Sequence, residues 1–162
     1  MPHFVPLISP LRSGREEGLV IDTGGSKTPG TPVALNHPTS PLADRQLWET
    51  RLTGETDGDR HNFVFIINKD SGLALTVPNE PRFDIGAAVV QFGLDGGENQ
   101  KWLQFPPENQ PPNQLPLFIF SNMYSACVLS VKIPSPNDQL RGAPIIQSQE
   151  EDSANQLWKI TF

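Results

Sequence analysis

The side chains best suited to chemistry do not combine into a catalytic or metal-binding motif. The three histidines share no His-x-x-x-His spacing, and a lone Cys127 excludes both an internal disulfide and a Cys-x-x-Cys metal pair. The segment Asp57-Gly58-Asp59 lacks the further ligands of a calcium loop. No nucleophile elbow, phosphate-binding loop or dinucleotide fingerprint occurs, and nothing pairs two carboxylates as a glycosidase requires. We therefore expect no catalysis, no metal and no cofactor.

A Gln-x-Trp unit occurs three times and contains every tryptophan of the chain. The copies are Gln46-Leu47-Trp48, Gln100-Lys101-Trp102 and Gln156-Leu157-Trp158, with their tryptophans 54 and 56 residues apart. Self-similarity at a fixed period predicts a repeat architecture before any local assignment is made. Large indole rings suit a core, and glutamine amides suit the backbone groups of turns. The motif thus predicts the fold and by itself says little about a ligand.

Two further landmarks repeat in register with these units. One is an apolar strand and the other is a turn that begins with glycine, and both recur every 54 to 56 residues. Short apolar runs bounded by Gly, Pro or Asn indicate strands, and we find no convincing amphipathic helix. The predicted opening strands are 4–8, 63–67 and 117–120, the second strands are 18–23, 72–77 and 126–131, and the turns begin at Gly30, Gly86 and Gly142.

Composition excludes several classes of protein. A chain of 162 residues suits a single domain, 1–162, that buries roughly 70% of its unfolded-chain surface. Its 17 prolines argue against long helices and for many turns. A net charge of −6 without a run of Lys or Arg argues against a nucleic-acid partner. With no signal peptide and no membrane span, we expect a cytoplasmic protein without membrane insertion, and unconventional secretion stays open.

Two segments fall outside the repeat pattern. Residues 53–62 are rich in Gly and Asp, and residues 105–116 contain five prolines with Asn and Gln between them. Proline at this density predicts an extended surface connector that cannot join a central sheet. A proline-rich ligand for a recognition domain is the alternative interpretation of the second segment.

Four-stranded units of this size cannot bury their apolar faces alone. Three of them, at about 1–54, 55–108 and 109–162, can close on one another. The closed form is an all-β, threefold pseudo-symmetric barrel with a hairpin cap, which removes exposed strand edges. Three equivalent tryptophans would fill the region near its axis. We therefore predict a β-trefoil with largely buried tryptophans.

The combined motifs support a family resemblance. Gly-x-x-apolar-Asp, then Gly-x-Pro-Val, then Asn-Gln-x-Trp recur from about Phe4 to Phe162. In this combination the chain resembles the ricin B-chain-like β-trefoil lectins, and its small size without a signal peptide is most similar to the fungal cytosolic members. A working site in this family joins an Asp of the second strand, an aromatic residue of the third strand and an Asn or Asp just before Gln-x-Trp.

The resemblance implies a first carbohydrate site in repeat one. Asp22 would accept bonds from vicinal sugar hydroxyls, and the bare backbone after it would let a ligand approach closely. His37 follows the position where the family has its aromatic residue. In the alternative interpretation, Asp22 bonds only its own turn amides and His37 is solvated. The implied site residues are Asp22, Gly25, Asn36, His37, Asp44 and Gln46.

The other two repeats depart further from the family pattern. Repeat two has Phe92 and Asn99, but Thr76 stands where the acid is usual. These three residues form a secondary candidate carbohydrate site. In repeat three only Asn155 fits, with Ser130 in the acid position, so we expect no working site there. The acidic run that begins at Glu150 is best interpreted as a solvated loop.

The resemblance implies reversible carbohydrate binding without turnover. Galactose- or N-acetylgalactosamine-type glycans or glycoproteins would be the partners, and several sites or a homodimer would raise the weak affinity of one shallow site. The alternative is a protein-binding trefoil, such as a protease inhibitor that acts through the loops 53–62 or 105–116. A third possibility is a trefoil that serves only as a structural partner.

Overall fold

The chain forms short strands joined by turns. The computed structural model describes residues 3–9, 12–13, 16–78, 84–108, 117–133, 140–151 and 153–160. These contain fifteen strands and three 3₁₀ turns, and no helix in them has the length and apolarity that crossing a membrane requires. The strands are β1 Leu7–Ile8, β2 Arg12–Ser13, β3 Glu16–Glu17, β4 Val20–Asp22, β5 Thr31–Pro32, β6 Ala34–Asn36, β7 Trp48–Thr56, β8 Asn62–Asn68, β9 Ala74–Thr76, β10 Val90–Phe92, β11 Trp102–Phe105, β12 Leu117–Asn122, β13 Val128–Val131, β14 Ile145–Ser148 and β15 Trp158–Ile160. The 3₁₀ turns are η1 Asp44–Gln46, η2 Glu98–Gln100 and η3 Ala154–Gln156.

Six of the strands form a closed antiparallel barrel. Strands β7, β8, β11, β12, β15 and β1 pair in that order. The ring closes where Val5 and Trp48 exchange two backbone hydrogen bonds of 2.8 Å. Closure leaves the barrel without an exposed edge, as the repeat pattern predicts.

Three hairpins cap the barrel and interlock. They pair β4 with β6, β9 with β10, and β13 with β14. The N–H at the start of each glycine turn donates to a carbonyl on the third strand of the next repeat, and the last turn returns to the first repeat. These bonds, each 2.8 Å, join Gly30 to Gln91, Gly86 to Gln147 and Gly142 to Leu35. A barrel with three interlocked hairpins is a β-trefoil, so the predicted fold class is confirmed.

The Gln-x-Trp units lie in the interior. All three tryptophans are fully buried, as predicted. Each indole N–H donates to a backbone carbonyl of the second strand in its own repeat. These acceptors are Ile21 for Trp48 at 3.0 Å, Leu75 for Trp102 at 3.1 Å and Leu129 for Trp158 at 3.1 Å. The indole therefore fills the core and also ties each hairpin to the barrel.

The segment 53–62 differs from the prediction. Strand β7 continues through it to Thr56, which pairs with Asn62 after an irregularity beyond Leu52. The predicted connector is therefore a long hairpin whose turn is only 57–61, and the turn residues Gly and Asp led us to place the turn too early. The second strands also begin later than predicted, at Val20, Ala74 and Val128. Most of the proline-rich connector, residues 109–116, lies outside the described residues.

Candidate functional site

A shallow pocket lies at the end of the first hairpin. Its volume is about 280 Å³. The third repeat completes it, because the turn that contains Arg141 and Gly142 bonds to the third strand of repeat one. The pocket is lined by Asp22, Thr23, Gly24, Pro32, Ala34, Leu35, Asn36, Arg141 and Gly142.

The Asp22 carboxylate lies at the inner wall of this pocket and is nearly saturated with donors. Its Oδ1 accepts the Gly24 N–H at 2.7 Å. Its Oδ2 accepts Asn36 Nδ2 and Gln46 Nε2, each at 3.0 Å, and Arg45 Nε lies 3.2 Å from both oxygens. A carboxylate has about four lone-pair sites. With its side chain only 2% exposed, Asp22 would have to share or exchange a donor to accept a ligand hydroxyl.

Gln46 orients Asp22 from behind the pocket. The residue is fully buried, and its Nε2 also donates to the His37 carbonyl at 2.8 Å. Its Oε1 accepts the Thr39 N–H at 2.9 Å and the Thr39 hydroxyl at 3.1 Å. All four hydrogen-bonding positions of the amide are therefore used within the protein. Gln46 can act on a ligand only through the carboxylate that it holds.

The remaining residues predicted for the first site lie at or beyond its margin. His37 is exposed and stands outside the lining, although the preceding Asn36 belongs to it. Asp44 is exposed and its carboxylate lies 3.5 Å from Lys69 Nζ. Gly25 is exposed, and its N–H donates to the Thr23 hydroxyl at 3.2 Å.

Arg45 contacts the carboxylate of the first pocket without lining the pocket itself, and the sequence did not identify this contact. It stands directly before Gln46, where repeats two and three have Asn99 and Asn155. Those asparagines donate to backbone carbonyls of Val77 and Val131, at 2.8 and 3.2 Å. An arginine cannot repeat that short contact, and its guanidinium instead reaches the Asp22 carboxylate. The break in the repeat pattern at this position was the available signal.

A second pocket brings the three residues predicted in repeat two together. Thr76, Phe92 and Asn99 line one cavity of about 280 Å³ with Gly30, Pro78, Val90 and Asp95. The Phe92 ring is 45% exposed, which leaves an apolar face available at the pocket wall. The first repeat contributes Gly30, in the same way that the third repeat completes the first pocket.

Asp95 supplies the carboxylate that repeat two lacks on its second strand. Its Oδ1 accepts the Gly97 N–H at 2.8 Å, and its Oδ2 has no hydrogen-bond partner within the described residues. The Thr76 hydroxyl is engaged, since it donates to the Ala74 carbonyl at 2.9 Å and receives Gln100 Nε2 at 3.3 Å. Sequence comparison between repeats missed Asp95 because it lies in the loop before η2, away from the position of Asp22.

The third repeat offers little of this chemistry. Ser130 is fully buried and donates to the Val128 carbonyl at 3.2 Å, and Asn155 is occupied by Val131. Across the described part of the chain, no three His, Cys, Asp or Glu side chains lie close enough to hold a metal ion. The chemistry available in the two pockets is hydrogen bonding and ring stacking.

The fold places the chain among the β-trefoil proteins. No protein-family model and no curated protein sequence matches it. Among solved structures it is similar to the designed threefold-symmetric protein ThreeFoil, at 24% identity and a TM-score of 0.76 with 98% of each chain covered. It is similar to an exo-β-1,3-galactanase from Clostridium thermocellum, at 22% identity and a TM-score of 0.75 over 98% of this chain and 30% of that one. It is also similar to the Rhizoctonia solani agglutinin, at 20% identity and a TM-score of 0.67 over 99% and 94% of the two chains.

Proposed function

We propose that the protein is a ricin B-like lectin that binds galactose- or N-acetylgalactosamine-type glycans reversibly and without turnover. The observation that carries this proposal is the second pocket, where an exposed ring, a carboxylate and an amide meet. A sugar presents an apolar C–H face that stacks on a ring such as Phe92 and vicinal hydroxyls that donate to a carboxylate such as Asp95. Asn99 lines the same pocket, while its Nδ2 donates to the Val77 carbonyl at 2.8 Å.

The first pocket is the second part of the proposal. Its carboxylate is held in one orientation by Asn36, Arg45 and Gln46, so a ligand would meet an acceptor that is already positioned. The names of two similar structures, a galactanase and an agglutinin, support glycans as the partners. The choice of galactose-type sugars comes from the family resemblance.

Shallow pockets favour a multivalent mode of action. Each cavity is large enough for about one sugar residue, so a single site should bind weakly. Two sites on one chain, or a homodimer, would raise the overall affinity through effective concentration. We propose that the biological target presents several copies of the glycan, and that the protein meets it from the cytoplasm or after unconventional secretion.

A glycan array tests the proposal. Wild type would be compared with Phe92→Ala and Asp22→Asn, and with Ile133→Ala as a control that removes a similarly exposed apolar side chain, 54% exposed, from outside both pockets. Near-UV circular dichroism would establish that each variant is folded. We expect binding to terminal galactose or N-acetylgalactosamine, a loss of roughly tenfold in Phe92→Ala, and no change in Ile133→Ala.

If the folded wild-type protein bound no glycan on the array, the lectin function would be rejected. Protease inhibition through the turn 57–61 would then be the next activity to assay. Binding that survives Phe92→Ala but is lost in Asp22→Asn would assign the main site to the first pocket.

A further inference from the structure

The second pocket does not end at Asn99. A neighbouring cavity of about 590 Å³ shares Asp95 and Asn99 with it and is also lined by Gly96, Gly97, Glu98 and Tyr124. The two cavities therefore meet at this shared pair, with Phe92 lining one and Tyr124 lining the other, and together they are called the groove. Tyr124 is the single tyrosine of the chain.

We infer that this groove binds a glycan of at least two residues rather than a single sugar. The inference rests on the proposed function and extends it to the length of the ligand. One sugar residue stacks on Phe92, the next contacts the Tyr124 ring, and Asp95 accepts hydroxyl groups between them. Two aromatic side chains about a carboxylate match the alternation of apolar C–H faces and hydroxyls along a short oligosaccharide.

Asp95 is placed to serve both halves of the groove. It lines both cavities, and the Gly97 N–H fixes its Oδ1 at 2.8 Å. The oxygens of Asp95 and Asn99 converge over Gly97, because a Cβ added there would lie 3.0 Å from Asp95 Oδ1 and 2.8 Å from Asn99 Oδ1. At Gly96 an added Cβ would meet nothing within 4 Å. The backbone of the groove therefore leaves room for a ligand at Gly96, while the two side-chain oxygens occupy the space over Gly97.

Tyr124 is held in the same hydrogen-bonded frame as Asn99. Its N–H donates to Asn122 Oδ1 at 3.0 Å, and Asn122 Nδ2 donates to the Asn99 carbonyl at 3.0 Å. Asn122 is 1% exposed, so this link between repeats two and three is a buried one. The ring is half-buried, which lowers the entropy that binding would otherwise cost. The backbone that carries Tyr124 is therefore fixed relative to Asn99 before a ligand arrives.

The test compares ligands of two lengths on matched variants. Wild type, Tyr124→Ala, Tyr124→Phe and Asp95→Asn would be titrated with methyl β-galactoside and with galactosyl-galactose disaccharides of β-1,3, β-1,4 and β-1,6 linkage, with binding followed by ¹H–¹⁵N NMR. We expect at least one disaccharide to bind wild type about tenfold more tightly than the monosaccharide. Tyr124→Ala should remove that gain and change monosaccharide affinity by less than about twofold. Tyr124→Phe should retain it, and Asp95→Asn should weaken both ligands.

Two readouts separate the possible failures. If no disaccharide binds more tightly than the monosaccharide, or if the gain in affinity survives Tyr124→Ala, the inference about the groove is wrong while the lectin function stands. If neither ligand shifts any wild-type resonance, the lectin function fails as well. Should Tyr124→Ala not fold, the wild-type spectra decide the question, because the Tyr124 amide resonance must shift with the disaccharide and not with the monosaccharide.

Discussion

The Asp22 carboxylate shows how one residue can serve the fold and the pocket together. Three side chains and one backbone N–H donate to it within a site that is almost closed to water. Two of the donors, Asn36 and Gln46, are amides that depend on this acceptor. Removing the acceptor would leave an N–H of the buried Gln46 and the half-buried Asn36 amide without this partner, which is more costly than the loss of the bonds themselves. Binding assays on an alanine variant at this position would therefore measure folding as well as recognition.

Stability measurements can separate the two carboxylates. We expect Asp22→Ala to lower the free energy of unfolding by about 2 to 3 kcal/mol, because the donors of Gln46 and Asn36 lose their acceptor. Asp95→Ala, with one local bond to Gly97, should cost less than about 0.5 kcal/mol. Urea unfolding followed by tryptophan fluorescence measures both. Equal costs would mean that the network around Asp22 contributes nothing to stability.

Sequence reasoning located residues of the pockets unevenly. Thr76, Phe92 and Asn99 could be placed together because the family resemblance implies a site at three positions of a repeat, and the repeat register locates those positions in repeat two. Arg45 and Asp95 could not, since each departs from the register: Arg45 contacts Asp22, and Asp95 lines the second pocket from a loop. Arg45 contacts a carboxylate 23 residues away in sequence, and no local pattern specifies such a contact. Positions where one repeat differs from the other two are therefore the ones to examine for ligand contacts.

The loop 93–97 is the element that assembles the second pocket. It places Asp95 beside Asn99, and its glycines keep the space between these side chains open. Gly97 has φ −66°, an ordinary backbone conformation that alanine also adopts. The requirement for glycine there is therefore the proximity of the two side-chain oxygens and not the backbone.

A pair of alanine substitutions in this loop tests that interpretation. We expect Gly97→Ala to fold normally but to weaken glycan binding by about tenfold, because its Cβ would push the oxygens of Asp95 and Asn99 apart. Gly93→Ala is the matched control, as an added Cβ meets nothing within 4 Å there. NMR titration with methyl β-galactoside compares the two variants. If both bind as wild type does, the convergence over Gly97 has no role in binding.

We expect the stability of the turn in the β7–β8 hairpin to depend on pH through the carboxyl group of Asp57. Loss of hydration raises the pKa of Asp57, but the N–H groups of Asp59 and His61 and the His61 ring together hold that pKa below its ordinary value of 3.8. A lowered pKa means that the ionised carboxylate stabilises the turn at and above the ordinary value, and that this contribution is lost as the pH falls through the lowered one. Sequence analysis predicted only a connector here, so it did not indicate the hydrogen bonds of Asp57 to Asp59 and His61.

Amide resonances of the turn provide the measurement. We expect the protection of the wild-type Asp59 and His61 amides, relative to their intrinsic exchange rates at each pH, to fall as the pH drops through the lowered pKa of Asp57, because protonated Asp57 accepts their hydrogen bonds less strongly. In Asp57→Asn these amides should respond to pH only through the intrinsic exchange rate. A turn in wild type that behaves like the variant at every pH would rule out the ionised carboxylate as its support.

The architecture of the whole molecule results from the repetition of a small four-stranded unit. The repeat period, the apolar strands and the three tryptophans were enough to predict a closed threefold barrel, because no single unit can bury its own apolar face. The interlocking of the hairpins could not be predicted, since each bond between neighbouring glycine turns and strands joins different repeats. Both pockets lie at such junctions, with Gly142 completing the first and Gly30 the second. Both pockets are therefore a product of closure, and a single repeat would have neither.

Closure also predicts how the molecule unfolds. The three tryptophans have equivalent burial and equivalent bonds to backbone carbonyls. Replacing any one of them by phenylalanine removes volume and leaves a buried carbonyl without its donor, at an expected cost of about 2 to 3 kcal/mol. Because each repeat buries its apolar face only against the other two, we expect Trp48→Phe, Trp102→Phe and Trp158→Phe each to unfold in one cooperative urea transition. Their losses in the free energy of unfolding should lie within about 1 kcal/mol of each other.

Leu52→Ala, at a side chain 64% exposed, is the control and should leave the midpoint of the urea transition nearly unchanged. Separate transitions, or one tryptophan that costs far less than the others, would mean that the repeats are not energetically equivalent.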